Sequence, residues 1–165
     1  MKTLVPIVLN AGEGDKQSFR GGGLHLWKLL AEDTDDAFFL FEDTMVKDKT
    51  TPLHLHPDAH ELTYVIDGEI EVEHDGARCR VRSGGMSFVP KGVPHAFIVL
   101  STEARMISLH SPGAVSQAFY RGASVPAVDD SADVVDFALL QDVAAANPGA
   151  IKILGPPPFA PVNAG

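Results

Sequence analysis

Residues 54–68 read HLHPDAHELTYVIDG, and this stretch carries the pattern that decides the fold. Side chains two positions apart in a β-strand lie on the same face, so His54 and His56 can reach one point. Glu61 opens the next strand after the turn at residues 57–59, which returns a carboxylate beside the two imidazoles. The spacing therefore predicts two adjoining strands that share a compact group of polar side chains.

A second stretch, residues 84–95, reads GGMSFVPKGVPH and ends on another histidine. The rigid turn at residues 90–94 precedes His95, which we expect to arrive from a third strand. Three neutral imidazoles and one carboxylate suit a divalent transition metal: Fe, Ni, Mn, Co, Cu or Zn. We expect His54, His56, Glu61 and His95 to bind one such ion per chain.

The remainder of the barrel is predicted from short runs of alternating or β-branched residues that are separated by turn signals. The predicted strands are residues 24–30, 37–46, 53–56, 61–66, 69–74, 78–81, 86–89, 95–100 and 105–109. The apolar run at residues 3–9 is predicted to form a first strand before them. Many short strands at this spacing indicate an all-β sandwich or barrel.

The C-terminal part of the chain has a different pattern. Residues 131–146 lack Gly and Pro and place Val135, Leu139 and Val143 four positions apart, which predicts a helix capped by Ser131. A shorter helix is predicted over residues 114–120. The prolines at 156–158 exclude a central strand, so residues 151–158 should lie across the barrel surface. We expect one domain over 1–165, with a barrel core at about 24–110 and a helical cover and Pro-rich tail at about 111–165.

Composition narrows the class of protein. The chain has 165 residues, 45% of them hydrophobic, which is enough for a substantial core. Its net charge of −9 disfavours binding to nucleic acid or to anionic membranes. Cys79 is the single cysteine, so neither an internal disulfide nor a thiolate metal site is expected. Without a long apolar segment or a secretion signal, we expect a cytoplasmic location.

Residues 54–68 resemble the first cupin motif, and residues 84–95 resemble the second. Two positions depart from these motifs: Asp48 stands where a glycine is expected, and Val99 stands where an asparagine is expected. Neither is a ligand position. The resemblance implies a single cupin, a jelly-roll β-barrel, with a C-terminal helical segment and the four metal ligands named above.

Shorter pieces at residues 19–23, 31–34, 111–113 and 153–157 resemble single-domain bacterial cupins grouped with quercetin 2,3-dioxygenase. That family cleaves a flavonol ring with O2 and releases carbon monoxide. The resemblance implies a homodimeric dioxygenase that uses Fe, Ni, Mn, Co or Cu and acts on a planar phenolic or enolic substrate. Glu61 would then be both a ligand and the base that takes the substrate's hydroxyl proton.

Two other functions remain open from the sequence, because the cupin barrel hosts several chemistries. One is a cupin that binds a small molecule without catalysis. The other is a metal-dependent lyase or isomerase that uses Glu61 as a base without O2. Zinc would suit either alternative, because neither requires redox chemistry.

Strand parity also predicts a substrate pocket, with side chains that alternate toward the interior. The residues expected to line it are Phe39, Phe41, Thr63, Val65, Phe97 and Met106. No Lys or Arg is predicted inside, which argues against a small dianionic substrate. His60 is interpreted as a surface or interface residue and His74 as a surface residue. His25 and Trp27 are interpreted as packing residues of the barrel, with a substrate-facing Trp27 as the alternative. His110 is interpreted as a core or strand-edge residue, with a place next to the metal ligands as the alternative.

Overall fold

A computed structural model describes residues 3–128 and 135–159. Within these residues the chain forms twelve β-strands and two α-helices. The strands are β1 (Asp15–Phe19), β2 (Gly23–Leu29), β3 (Phe39–Val46), β4 (Leu53–Leu55), β5 (His60–Asp67), β6 (Glu69–His74), β7 (Ala77–Arg82), β8 (Met86–Val89), β9 (His95–Val99), β10 (Glu103–Ser111), β11 (Ser124–Pro126) and β12 (Lys152–Gly155). The helices are α1 (Gly113–Gly122) and α2 (Phe137–Ala146).

The strands form two antiparallel sheets that enclose the core. One sheet has the order β11-β1-β2-β3-β10-β5-β8, and the other has the order β12-β4-β9-β6-β7. This arrangement is a jelly roll, and it confirms the predicted fold class. Strand β12 lies at an edge, as the prolines after it require.

Alternation along the strands decides which side chains enter the barrel. On β3, Phe39, Phe41, Asp43 and Met45 are buried, whereas the residues that alternate with them are partly or fully exposed. Met45 packs with Val65 and Met106 from the same sheet and with side chains of the facing sheet. The interior of the seven-stranded sheet therefore supplies an apolar wall opposite β4 and β9.

The predicted strand at residues 3–9 is wrong. These residues are exposed and belong to no strand, and the first strand is β1, between residues 10 and 20. The reason lies in pairing: β1 lies between β2 and β11, so that edge of the sheet is already occupied. Pro6 also lacks the N–H that a ladder would use. Strand β1 precedes the predicted barrel core of residues 24–110.

The two helices cover one end of the barrel. The predicted helix at residues 114–120 is confirmed as α1. Helix α2 begins later than predicted, because the side chain of Asp136 caps it by accepting a hydrogen bond from the backbone N–H of Leu139 at 3.0 Å. Val135 pairs with Gly21 in an isolated bridge and is not helical. The predicted cap Ser131 lies outside the described residues.

The helices and the chain after them share one apolar cluster. Its buried members are Phe119, Ala123, Leu140, Ala144, Ala150 and Ile151. In the described parts of the chain, neither helix has the length and apolar character needed to cross a bilayer.

Candidate metal centre

The four predicted ligands come together at one end of the barrel. His54 on β4 lies directly opposite His95 on β9, and His56 follows the end of β4. Glu61 is the second residue of β5. One potential ligand atom from each of the four residues lies within 4.8 Å of all the others. The three histidines are buried, and the Glu61 side chain is 12% exposed.

Nδ1 of each of the three imidazoles forms a hydrogen bond with a backbone carbonyl oxygen. The acceptors are Pro52 for His54 at 2.8 Å, Ala150 for His56 at 2.6 Å and Val93 for His95 at 2.9 Å. A carbonyl oxygen can only accept, so Nδ1 carries the hydrogen in each ring. The lone pair of a neutral ring is then on Nε2, which is the arrangement that prepares a histidine to bind a metal.

The Nε2 atoms converge on the carboxylate of Glu61. Oε2 lies 2.9 Å from Nε2 of His56 and 3.4 Å from Nε2 of His95. The Thr63 hydroxyl donates to Oε1 at 3.3 Å, which fixes the plane of the carboxylate. A neutral Nε2 and a carboxylate both accept, so such short contacts require a proton or a cation between them. This donor set fits a divalent ion.

Electrostatics favour the ligand forms of two of these groups. Burial, reinforced by the neighbouring His95 and His56, lowers the pKa of His54 to about 3, so its imidazole is neutral. Burial alone would raise the pKa of Glu61, but His95 and His56 outweigh it and hold this pKa well below its ordinary value. Burial opposes the charged form of His95, but the Glu61 carboxylate raises its pKa overall.

Two further residues lie beside these ligands: His110, for which the sequence favoured a core or edge position over one next to the site, and Tyr120, which the sequence did not indicate. His110 is fully buried as expected, but its Nε2 lies 4.0 Å from Oε2 of Glu61 and its ring packs against His56. The Tyr120 hydroxyl lies 3.3 Å from the same Nε2 atom. His110 lies directly opposite Glu61 in the β10–β5 pair. This pairing would have indicated that His110 lies next to the site, but it can be recognised only when the register of the two strands is known.

Burial sets the charge states of these two groups. It lowers the pKa of His110 to about 3, against the opposing charge of Glu61, so this imidazole is neutral. It raises the pKa of the Tyr120 hydroxyl well above its ordinary value, assisted by the carboxylates of Glu61 and Asp43. Tyr120 is therefore a neutral phenol.

A cavity of about 240 Å³ reaches the candidate metal centre. Its lining includes His54, Met45, Phe19, Phe119, Tyr120 and, at one side, Lys49. Lys49 is half-buried and lies outside the strands, so the expectation that no cationic side chain enters the barrel interior stays a prediction. The six predicted pocket residues do not line this cavity. Five of them are buried on the inner face of the seven-stranded sheet, and Phe97 packs against the same core from β9.

The other histidines have separate surroundings. The ring of His60 stacks on Phe88, and its Nδ1 accepts a hydrogen bond from the backbone N–H of Lys91, outside the metal centre. His25 is buried between the rings of Phe19 and Phe41. Its Nε2 lies 3.5 Å from Oδ1 of Asp43, its partner across the β2–β3 pair. His25 is thus a packing residue, as predicted, with an unpredicted buried acid beside it.

Comparison with known sequences finds one matching family model and similar proteins. The family model for the cupin domain matches residues 41–110. A quercetin 2,3-dioxygenase of Bacillus subtilis (strain 168) is 32% identical over 120 residues, 72% of this chain. The chain spans only 35% of the length of that enzyme. A protein of Streptomyces cyaneus named polyketide synthase CurC is 30% identical over 146 residues, which cover 86% of this chain and 92% of that protein.

A solved structure, that of KdgF from Halomonas sp., matches the fold with a TM-score of 0.59. The match covers 66% of this chain and 94% of that one, at 20% sequence identity, and so concerns the fold alone. The family model, the two sequence motifs and the jelly-roll topology agree on the family. The chain belongs to the cupin superfamily.

Proposed function

We propose that the protein is a metal-dependent dioxygenase of the quercetinase type, which cleaves a planar phenolic or enolic substrate with O2. The observation that carries this proposal is the convergence of three histidines and one carboxylate, whose ligand atoms lie within 4.8 Å of one another, with each Nδ1 already held by a carbonyl. His54, His56, Glu61 and His95 would hold one Fe, Ni, Mn, Co or Cu ion. When bound, that ion supplies positive charge next to an enolate oxygen and the redox capacity that a reaction with O2 needs.

Glu61 is the group that takes a proton from the substrate. Its low pKa makes it a weak base, so it can deprotonate only a hydroxyl that is already acidic. Enols and phenols meet this condition, whereas alkanols do not. The Thr63 hydroxyl donates a hydrogen bond to Oε1 of Glu61. The other carboxylate oxygen, Oε2, faces the imidazoles and is the one that accepts the substrate's proton.

The cavity suits a flat and largely apolar molecule. Most of its lining side chains are aromatic or aliphatic, contributed by both sheets, by α1 and α2 and by the segments beside them, and His54 is part of the lining. A ring system placed there would have its reacting oxygen near the metal ligands. Phe39, Phe41, Thr63, Val65, Phe97 and Met106 stay predictions for substrate contacts deeper in the barrel.

The similarity to the Bacillus enzyme supports O2 chemistry, since that relative is named as a quercetin 2,3-dioxygenase. The chain matches about a third of that enzyme's length. The proposal therefore applies to the reaction class, with quercetin as the first probe.

The test is oxygen consumption with quercetin by protein reconstituted separately with Fe, Ni, Mn and Co. We expect uptake with at least one metal, and its loss in Glu61→Gln protein that still contains metal. Glu42→Gln is the matched control, because Glu42 pairs with Lys28 on the outer face of the same sheet. Absence of uptake with every metal, across flavonols and catechols, would refute the dioxygenase.

A second candidate function is favoured by the full-length relative named as a polyketide synthase. Polyketides contain enolisable ketones, and Glu61 beside a cation is suited to remove a proton next to a carbonyl without O2. A lyase or isomerase of this kind would accelerate deuterium exchange into a 1,3-diketone probe such as acetylacetone above the uncatalysed rate, and Glu61→Gln would remove the acceleration. Tight probe binding with neither uptake nor exchange would indicate a non-catalytic binding protein.

A further inference from the structure

We propose that Tyr120 is a substrate-binding residue that donates a hydrogen bond to a carbonyl oxygen next to the hydroxyl that Glu61 deprotonates. The inference rests on the proposed function for the role of Glu61 and extends it by naming the recognised group. That group is a hydroxyl adjacent to, or conjugated with, a carbonyl, as in an α-hydroxy enone or the enol of a 1,3-diketone.

The first support is a shared neighbour. Nε2 of His110 lies 3.3 Å from the Tyr120 hydroxyl and 4.0 Å from Oε2 of Glu61. A single buried nitrogen therefore lies next to both oxygens, so a hydrogen-bond donor and a proton acceptor face the same atom of one imidazole. Tyr120 and His54 line the same cavity, so a ligand in that cavity can touch the phenol beside one of the metal ligands.

The second support is the direction of the hydrogen bond. Both the Glu61 carboxylate and the Tyr120 oxygen face Nε2 of His110. This environment favours the hydrogen on Nε2, because Nδ1 has no partner among the described residues. His110 then donates to the Tyr120 oxygen. The phenolic hydrogen of Tyr120 is left for an acceptor in the cavity.

The third support is rigidity. Besides His110, the Tyr120 ring contacts five rings, with centroid separations from 4.8 to 5.8 Å, contributed by Phe19, His25, Phe39, Phe41 and Phe119. These contacts hold the ring and leave the rotation of the hydroxyl hydrogen as its main freedom. A donor fixed in this way loses little entropy when it binds a ligand.

The proton balance is simple. The O–H bond of the substrate hydroxyl breaks, the proton moves to Glu61 Oε2, and the electron pair stays on the substrate oxygen. Tyr120 keeps its own proton and only shares it with the neighbouring carbonyl oxygen. A donor and an acceptor placed this way distinguish a hydroxy ketone from a ligand that has hydroxyls alone.

The experiment measures ligand binding to zinc-loaded protein, in which no turnover with O2 takes place. The probes are 3-hydroxyflavone, which has a hydroxyl beside a carbonyl, and catechol, which has two hydroxyls and no carbonyl. Tyr120→Phe should weaken 3-hydroxyflavone binding about fivefold, an effect typical of one hydrogen bond, and leave catechol binding unchanged. Tyr64→Phe is the matched control, because Tyr64 is 41% exposed on β5 and is the other of the two tyrosines.

Equal weakening of both probes, or no weakening of either, in folded Tyr120→Phe protein with a full zinc content overturns the inference. Tyr120→Met, which also lacks the hydroxyl, repeats the comparison if the Phe variant does not fold. The result is separable from the proposed function. A wild-type protein that consumes no O2 but shows the selective effect of Tyr120→Phe would refute the dioxygenase and support the role of Tyr120. O2 consumption by wild-type protein, together with no selective effect of Tyr120→Phe, would support the dioxygenase and refute the role of Tyr120.

Discussion

Nδ1 of His56 lies 2.6 Å from the carbonyl oxygen of Ala150, a residue 94 positions further along the chain. Ala150 follows α2 and is buried in the cluster that contains Phe119 and Leu140. The C-terminal segment therefore does more than cover the barrel. It orients one of the metal ligands, and its packing is coupled to the metal centre.

This coupling predicts the effect of Leu140→Ala. Removing a buried leucine should destabilise the protein by about 2–4 kcal/mol. The accompanying shift of Ala150 should weaken metal binding about tenfold, the effect typical of losing the partner that orients a ligand. Chemical denaturation and a competitive chelator titration measure the two quantities. Leu154→Ala, at a residue that is 41% exposed, is the control and should change neither. Unchanged metal affinity in folded Leu140→Ala protein would contradict the coupling.

The ligand set predicts the outcome of removing single histidines. His95→Ala and His54→Ala should each reduce the metal content well below one ion per chain, because three donors remain from a set of four. They should also remove the gain in thermal stability that the metal gives to wild-type protein. His60→Ala should keep both properties, since His60 lies outside the centre. Elemental analysis and thermal melts provide the readout, and full metal content in His95→Ala would exclude this ligand set.

The buried acid Asp43 predicts a dependence of stability on pH. Burial, assisted by the charge of Glu61, raises the pKa of Asp43 to about 8, from about 4 in an unfolded chain. A raised pKa contributes stability below the unfolded value, and this stability is lost as pH rises through the folded value. Between pH 5 and 7.5, metal-free wild type should therefore lose stability relative to Asp43→Asn, by on the order of 1 kcal/mol per pH unit.

Urea denaturation at several pH values measures this difference, and the comparison cancels the contributions of the buried histidines that both proteins share. The exposed Asp67→Asn variant should give a curve parallel to wild type. A difference between wild type and Asp43→Asn that grows in favour of wild type with rising pH would show that Asp43 is an anion paired with His25, and the prediction would fail.

The cupin motif position held by Asp48 predicts a backbone effect. Asp48 has a φ of 66°, in the left-handed region where glycine is favoured and a β-branched residue is strained. Asp48→Val should therefore be less stable than Asp48→Gly by about 1–2 kcal/mol. At the neighbouring Lys47, which lacks a positive φ, valine should be at least as stable as glycine. Chemical denaturation of Asp48→Val, Asp48→Gly, Lys47→Val and Lys47→Gly measures the four stabilities. If valine is as stable relative to glycine at position 48 as it is at position 47, the prediction is wrong.

Asp48 occupies a position where the cupin motif has glycine. The positive φ of Asp48 explains this preference, because glycine adopts the left-handed conformation without strain. Val99, at the other departure, is fully buried in the core between the sheets. In both cases the sequence identified the unusual position, and the structure supplied the physical consequence.

Local patterns predicted the strands around the metal centre well, because alternation and turn residues depend on near neighbours. The strands over residues 69–74 and 86–89 have the predicted bounds. The error at residues 3–9 has a different origin. An apolar, β-branched run forms a strand only if a sheet edge is free to pair with it, and β11 occupies the edge beside β1.

The sequence by itself determined the cupin family, the barrel and the four residues that meet at its end, because two short motifs carry those ligands at fixed spacings. Only the tertiary structure placed the carbonyl of Ala150 on His56, His110 beside Glu61 and Tyr120 at the wall of the cavity. These contacts join residues separated by tens of positions, and strand register and helix docking decide them. A side chain's neighbours across a barrel depend on the packing of the whole chain, whereas its direction along a strand depends on the residues beside it.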